Sequence, residues 1–344
     1  MVQRFNGLKV ICGCLAAFVV VAACSALSHN AENPELGSRV LQLVADVPLP
    51  GPAVRFDYQS LDAENGRLYI AHMNADQLVV FDTQKRQVVA NLDGFKRVHG
   101  VLAVPAINRI FASVTGQQQL AAVDMNTLKT IAMAGPISYP DGIAYAPDSK
   151  RVFVSDERGG VDAVVDAQTN KLLTSIPLGG GAGNTVYDPG SGHILVAVHK
   201  VNELVAIDPA AMKILGRYSL PGIENPHGIA LDVANRLGFI AGEENHSLAV
   251  FDLTSMKLIS VHQVGEEPDV LAFDRDLKRL YVSAESGTIS VFQESDKRLD
   301  PIGQFNMPHA HTVSVDPKTH LVYLPLENVQ GQPLLRIMRP LTPR

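Results

Sequence analysis

Apolar positions along this chain come in short runs, β-branched or alternating with polar ones, and each run is cut by Gly, Asp, Asn or Pro. Arg67-Leu-Tyr-Ile-Ala71 is followed by Gln77-Leu-Val-Val-Phe81, and Arg151-Val-Phe-Val-Ser155 by Val161-Asp-Ala-Val-Val165. Lys171-Leu-Leu-Thr-Ser-Ile176 adds a further run of the same kind. Period-two runs bounded by turn residues predict strands, and no stretch carries a helical period long enough for paired helices.

The runs repeat. Phe56-Asp57-Tyr58, Val98-His99-Gly100, Pro140-Asp141-Gly142, Ala182-Gly183-Asn184, Pro226-His227-Gly228, Pro268-Asp269-Val270 and Ala310-His311-Thr312 recur at steps of 42, 42, 42, 44, 42 and 42 residues. A second phrase ending in Asp82, Asp124, Asp166, Asp208 and Asp252 follows the first by 25 residues in each of five units. A fixed period of this length with about four strands per unit predicts a propeller blade. The expected fold is therefore all-β, a seven-bladed β-propeller with four-stranded blades over residues 39–338.

In each unit the first phrase opens the innermost strand a, the Arg-started run is strand b, and the run ending in Asp is strand c. The unit's last run is strand d. Blade seven has Leu321–Leu324 for strand b and Leu334–Ile337 for strand c, but the chain then stops. Its fourth strand is available at the other end, as Val40–Val47, which is expected to close the ring and remove its open edges. The five repeated aspartates are read as turn caps, bonding backbone N–H groups after strand c.

The phrase Pro140-Asp-Gly-Ile-Ala-Tyr-Ala-Pro-Asp-Ser-Lys-Arg-Val-Phe-Val-Ser155, echoed by Pro226-His-Gly-Ile-Ala230, resembles the repeat of the YncE-like, or YVTN, family of seven-bladed propellers. The resemblance spans essentially residues 39–338. It implies the fold and says little of function, since members of that family are often non-catalytic. With no Trp the chain lacks the WD signature. Likeness to calcium-dependent lactonase propellers is confined to architecture, and a shared fold does not carry a shared reaction.

Arg4 and Lys9 precede an apolar run, Val10 to Ala23, too short for an ordinary spanning helix and suited to an export signal over residues 1–23. Its end, Val21-Ala22-Ala23-Cys24, resembles a bacterial lipobox, which implies lipidation at Cys24, a tether over 24–38 and a lipid anchor in the membrane. Ordinary cleavage after Ala26 or Ser28 is the alternative. The protein is thus expected in the periplasm or on the outer membrane, as a monomer with a short tail at 339–344. All three cysteines (Cys12, Cys14, Cys24) precede the propeller, so no disulfide can staple it. Without residues 1–23 the chain has 27 basic and 35 acidic residues, a net −8. That balance argues against nucleic acid and leaves a small ligand or an envelope protein as partner.

Equivalent positions of a closed ring face one axis, so Asp57, His99, Asp141, His227, Asp269 and His311 should circle one channel mouth, with a gap at Gly183. Imidazoles and carboxylates are the usual ligands of transition metals, and one divalent metal ion is the cofactor this ring would take. Fifteen or sixteen residues further on come His72, Asp156, His199, Glu243, Glu285 and Glu327, a second ring expected on the same face. Asp and His at such positions can equally hydrogen-bond one another around water. Two functions follow: a non-catalytic binding module using this mouth, or a metal-dependent hydrolase of the lactonase type using the same ring. In the second, Asp57 or Asp269 would act as general base. Gly179–Gly183 lacks the Lys and the following helix of a phosphate loop and is read as a flexible connection that widens the mouth.

Overall fold

The structure is a computed structural model that describes residues 40–341. Cys24 and the export segment lie outside those residues. Seven four-stranded antiparallel sheets make up the described chain, each paired in the order a-b-c-d. Blade two shows the pattern: Val98–Val104, Arg109–Val114, Gln119–Asp124 and Thr130–Ala134. Among the described residues no helix is long and apolar enough to cross a membrane.

Strands b and c are buried on both faces, which is why they read as near-continuous apolar runs. Arg67–His72 and Gln77–Asp82 expose almost nothing beyond their first residues. Strand d lies on the rim with one face in solvent, so Lys213–Ser219 and Lys257–Gln263 alternate strictly. The core fills the gaps between neighbouring blades. Leu195, Ala197, Leu204 and Ala206 of blade four pack on Ile229, Ile240, Ala249 and Phe251 of blade five, and the same packing recurs around the ring.

The ring closes as the strand count requires. Leu41–Pro48 pairs antiparallel with Gln332–Pro340, as strand d of blade seven. Arg336 and Asp46 clamp this pairing with two hydrogen bonds, Nε to Oδ1 at 2.8 Å and Nη2 to Oδ2 at 2.6 Å. The aspartates after strand c cap turns: Asp82 Oδ1 accepts from the amides of Gln84 and Lys85, and Asp208 Oδ1 from those of Ala210 and Ala211.

One irregularity recurs where it positions the mouth. In blades two to six, strand a gains one residue relative to strand b at its opening. Pro140 faces Asp156 and Ile143 faces Val154, while Pro226 faces Gly242 and Ile229 faces Ile240. Asp141 and His227 sit inside these bulges. A bulge re-aims a side chain that regular pleating would send elsewhere. The following glycine lets the next blade approach: a Cβ on Gly228 would overlap the Asp269 carbonyl oxygen.

Candidate functional site: the channel mouth

Asp57, His99, Asp141, His227, Asp269 and His311 are all buried at one mouth of the propeller. The three imidazoles stay apart, with carboxylates between them. Asp269 spans two of them, its Oδ1 lying 3.2 Å from His227 Nε2 and its Oδ2 3.0 Å from His311 Nε2. His311 Nε2 is also 3.2 Å from Asp57 Oδ1, and His227 Nε2 is 3.6 Å from Asp141 Oδ2. His99 is held chiefly by other partners: its Nδ1–H donates to the Arg97 carbonyl (2.7 Å), its Nε2 lies 3.2 Å from the Tyr139 hydroxyl, and that nitrogen is 3.9 Å from Asp57 Oδ2.

Of the second set, three residues reach this cluster and three do not. His199 Nε2 lies 3.1 Å from His227 Nδ1, Glu243 Oε1 is 3.5 Å from the same atom, and Glu285 Oε1 is 3.3 Å from His311 Nδ1. His72 instead stacks on Phe56, with ring centroids 4.0 Å apart, and donates to the Val54 carbonyl. Asp156 is consumed by the amides of Ser138, Tyr139 and Gly159. Glu327 pairs with His309 at the half-exposed rim. The gap at Gly183 is filled: the glycine makes room for His199, so blade four supplies an imidazole from the turn just after strand b.

Two residues of the mouth escape the repeat-based reading. Tyr58 crosses the axis from blade one, its hydroxyl 3.0 Å from His227 Nε2, 3.4 Å from Asp141 Oδ2 and 3.5 Å from Asp269 Oδ1. It separates the mouth from a cavity of about 340 Å³ further along the channel, lined by Gly100, Gly142, Asn184, Thr185, Val270 and Val313. A signal existed, since Tyr58 stands where four other units have Gly or Asn: Gly100, Gly142, Asn184 and Gly228. Arg55 is the second. It binds Glu285 through both Nη atoms at 2.8 and 2.6 Å, and its Nη2 stands 3.1 Å from His311 Nε2. No spacing in the sequence announces that pair.

Burial and charge sort the protons of this cluster. Burial alone would lower the pKa of His227, but Asp269, Glu243 and Asp141 outweigh it and raise it to about 9. His311 is likewise driven well up against burial, by Asp269, Asp57 and Glu285. Burial, helped by the His227 charge, takes His199 down to about 3, so that ring is neutral. Asp141 is pushed well above the carboxylate range by burial, despite His227. Asp269 goes the other way: the pull of His227 and His311 defeats burial and keeps it ionised. At neutral pH the mouth thus holds two imidazoliums on one shared carboxylate, with a neutral imidazole at its side.

Among the described residues, two groups bring three ligating atoms within 4.8 Å of one another: His199, His227 and Glu243, and Asp57, Asp269 and His311. Their chemistry differs. The second already contains a fixed cation, since Arg55 lies against His311 and its charge is felt by Asp57, Glu285 and Asp269. The first offers two imidazole nitrogens and a carboxylate, a donor set suited to a borderline divalent metal. Moreover, the Nε2 of His227 points to Asp269 while its Nδ1 faces the group, the carboxylate–histidine arrangement that orients metal ligands. Beside this group opens an acidic cleft of about 360 Å³, lined by Asn225, Glu243, Glu244, Glu267 and Glu285.

No family model matches the chain, and no curated protein matches its sequence. Among solved structures it is similar to Kuenenia stuttgartiensis hydrazine synthase, at 13% sequence identity and a TM-score of 0.70, covering 85% of this chain and 96% of that one. At that identity the likeness shows the shared propeller fold.

Proposed function

We propose that the chain is an exported, non-catalytic binding propeller of the YncE-like kind that takes one divalent transition-metal ion at its acidic mouth. The observation that carries this reading is the convergence of His199 Nε2, His227 Nδ1 and Glu243 Oε1 at the edge of the acidic cleft. The cleft raises the local cation concentration, and the buried imidazoles supply selectivity over hard cations. An ion there would take the place of a proton on His227 Nδ1, so its uptake should weaken on acidification. Three protein ligands leave positions for a small ligand or a group from an envelope protein. Localisation through a lipidated Cys24, or as a soluble periplasmic protein, is part of the same reading.

The test is metal content and Co²⁺ titration of protein purified without chelator or affinity nickel. We expect one equivalent bound, with His199→Ala and Glu243→Gln losing it while staying folded. Equal binding in folded variants, or no binding of Zn²⁺, Co²⁺ or Mn²⁺ by the parent, would overturn the reading. Hydrolysis of simple lactones that disappears on chelation would replace the binding role with a hydrolytic one.

A further inference from the structure

The cluster of Asp57, Asp269 and His311 has the atoms of a second cation site, yet a guanidinium sits in it. His311 Nε2 is approached by Asp269 Oδ2 at 3.0 Å, Asp57 Oδ1 at 3.2 Å and Arg55 Nη2 at 3.1 Å. One ring nitrogen carries one proton, so it cannot satisfy both carboxylates. The guanidinium beside it completes the charge balance, and the bidentate bond to Glu285 fixes it there. All three members of the group are nine-tenths or more buried, and a cation beside two such carboxylates offsets the cost of burying their charge. Arg55 is only partly buried and comes from the loop between Pro48 and Gln59, so its charge arrives from the mouth.

We infer that Arg55 is a tethered stand-in for a second metal ion, and that it makes the mouth a one-metal site. Asp269 links the two groups without belonging to both, since its Oδ1 holds the Nε2 of His227, the ring nitrogen turned away from the first group, while its Oδ2 faces His311 of the second. Removing the guanidinium leaves Asp57 and Asp269 short of positive charge, and a divalent cation is the species that fits the three donors left. The chain thus encodes metal stoichiometry in one side chain. The inference rests on the mouth being a cation site, as argued above, but its test separates the two claims.

The experiment is equilibrium dialysis of the full chain with Zn²⁺, and Mn²⁺ electron paramagnetic resonance, on the parent, Arg55→Gln, Arg55→Lys and Glu285→Gln. Glu285→Gln keeps the arginine but removes its anchor, and serves if the Arg55 variants fold poorly. We expect one ion in the parent and in Arg55→Lys. Arg55→Gln should bind two, the second at least about tenfold more tightly than any second ion in the parent. Glu285→Gln should also gain the second ion, and the paired Mn²⁺ spectrum should broaden relative to a single site. Two ions in the parent, or one in folded Arg55→Gln and Glu285→Gln alike, overturn the inference and leave the one-metal reading standing. No ion in the parent and one in Arg55→Gln uphold Arg55 as a stand-in for an ion but overturn the one-metal stoichiometry and sink that reading. No ion in any variant sinks both.

Discussion

Gly183 and His199 share one volume: a Cβ on the glycine would lie 2.9 Å from His199 Nε2, and equally close to the His227 Cα and the Pro226 carbonyl oxygen. The blade whose innermost strand lacks a polar side chain at this position therefore delivers an imidazole from the turn after its second strand. Absence at one position and presence at the other are a single arrangement.

Gly183→Ala should accordingly act on the cation site without touching a ligand. The added methyl must displace either the His199 ring or rigid backbone, and overpacking of this kind costs about 1–3 kcal/mol. Metal affinity should fall about 10–100-fold, the range for losing a group that positions a ligand. Thermal unfolding and Co²⁺ titration check both effects. Unchanged affinity in Gly183→Ala would mean that His199 is not held by this contact.

Tyr58 allows its packing and its hydroxyl to be separated. Tyr58→Phe keeps the ring across the axis but removes the group that meets His227, Asp141 and Asp269. Loss of a buried hydrogen bond to charged partners should cost about 1.5–3 kcal/mol. Tyr58→Ala also opens the channel, with an expected loss of about 3–5 kcal/mol. Denaturant unfolding of both variants measures the difference. Near-equal losses would show that the phenol contributes through its hydroxyl alone.

Much of this architecture was legible in the chain because repetition makes each strand testify for the others. Seven openings at a 42-residue step give the blade count, and a missing strand d in blade seven points to residues 40–47. The mouth was half legible. The repeat placed Asp141 and His227 at equivalent positions, but not the direction of their rings, which depends on one-residue bulges and neighbouring blades. Offsets along strand b treated His72, Asp156 and His199 alike. Local partners then divided them: Phe56 stacks on the first, turn amides bind the second, and Gly183 admits the third. Arg55 meets Glu285 from 230 positions away, which no local pattern encodes.

Stability should peak near pH 6.5 when metal is removed by chelator. His227 keeps its proton up to about pH 9 in the folded protein, whereas an unfolded histidine loses it near 6.5. Between those values the folded state binds more protons, so stability falls as pH rises through the window. His199 has the opposite sign. Its folded value of about 3 means the unfolded chain binds more protons between 3 and 6.5, and stability falls as pH drops. Each group alone gives a slope of up to about 1.4 kcal/mol per pH unit. Denaturation midpoints across pH 5–9 test this, with His199→Gln expected to flatten the acid limb only. An unaltered acid limb in that variant would exclude His199 as its source.

The closing strand yields the most demanding prediction. Leu41–Pro48 is separated in sequence from its partner Gln332–Pro340 by the entire ring, so it holds the two ends of the propeller together. Val40 and Leu41 are buried, and Val40 packs into the core shared by blades one, two, six and seven. The Leu49 amide also donates to the Pro333 carbonyl at 3.0 Å. A chain starting after Pro50 would leave strand c of blade seven as a bare edge with its amides and carbonyls unpaired, and would uncover the apolar side chains beneath. It should lose cooperative unfolding and self-associate through that edge. A synthetic peptide of residues 39–50 should restore both cooperativity and the monomer, because it replaces the missing strand with the same Asp46–Arg336 clamp. Leu41→Ala in the intact chain should cost about 2–5 kcal/mol while preserving a single transition. Calorimetry and sedimentation decide the matter. If the truncated chain melts in one step at the parent temperature, ring closure by this strand is not what makes the seven blades one cooperative unit.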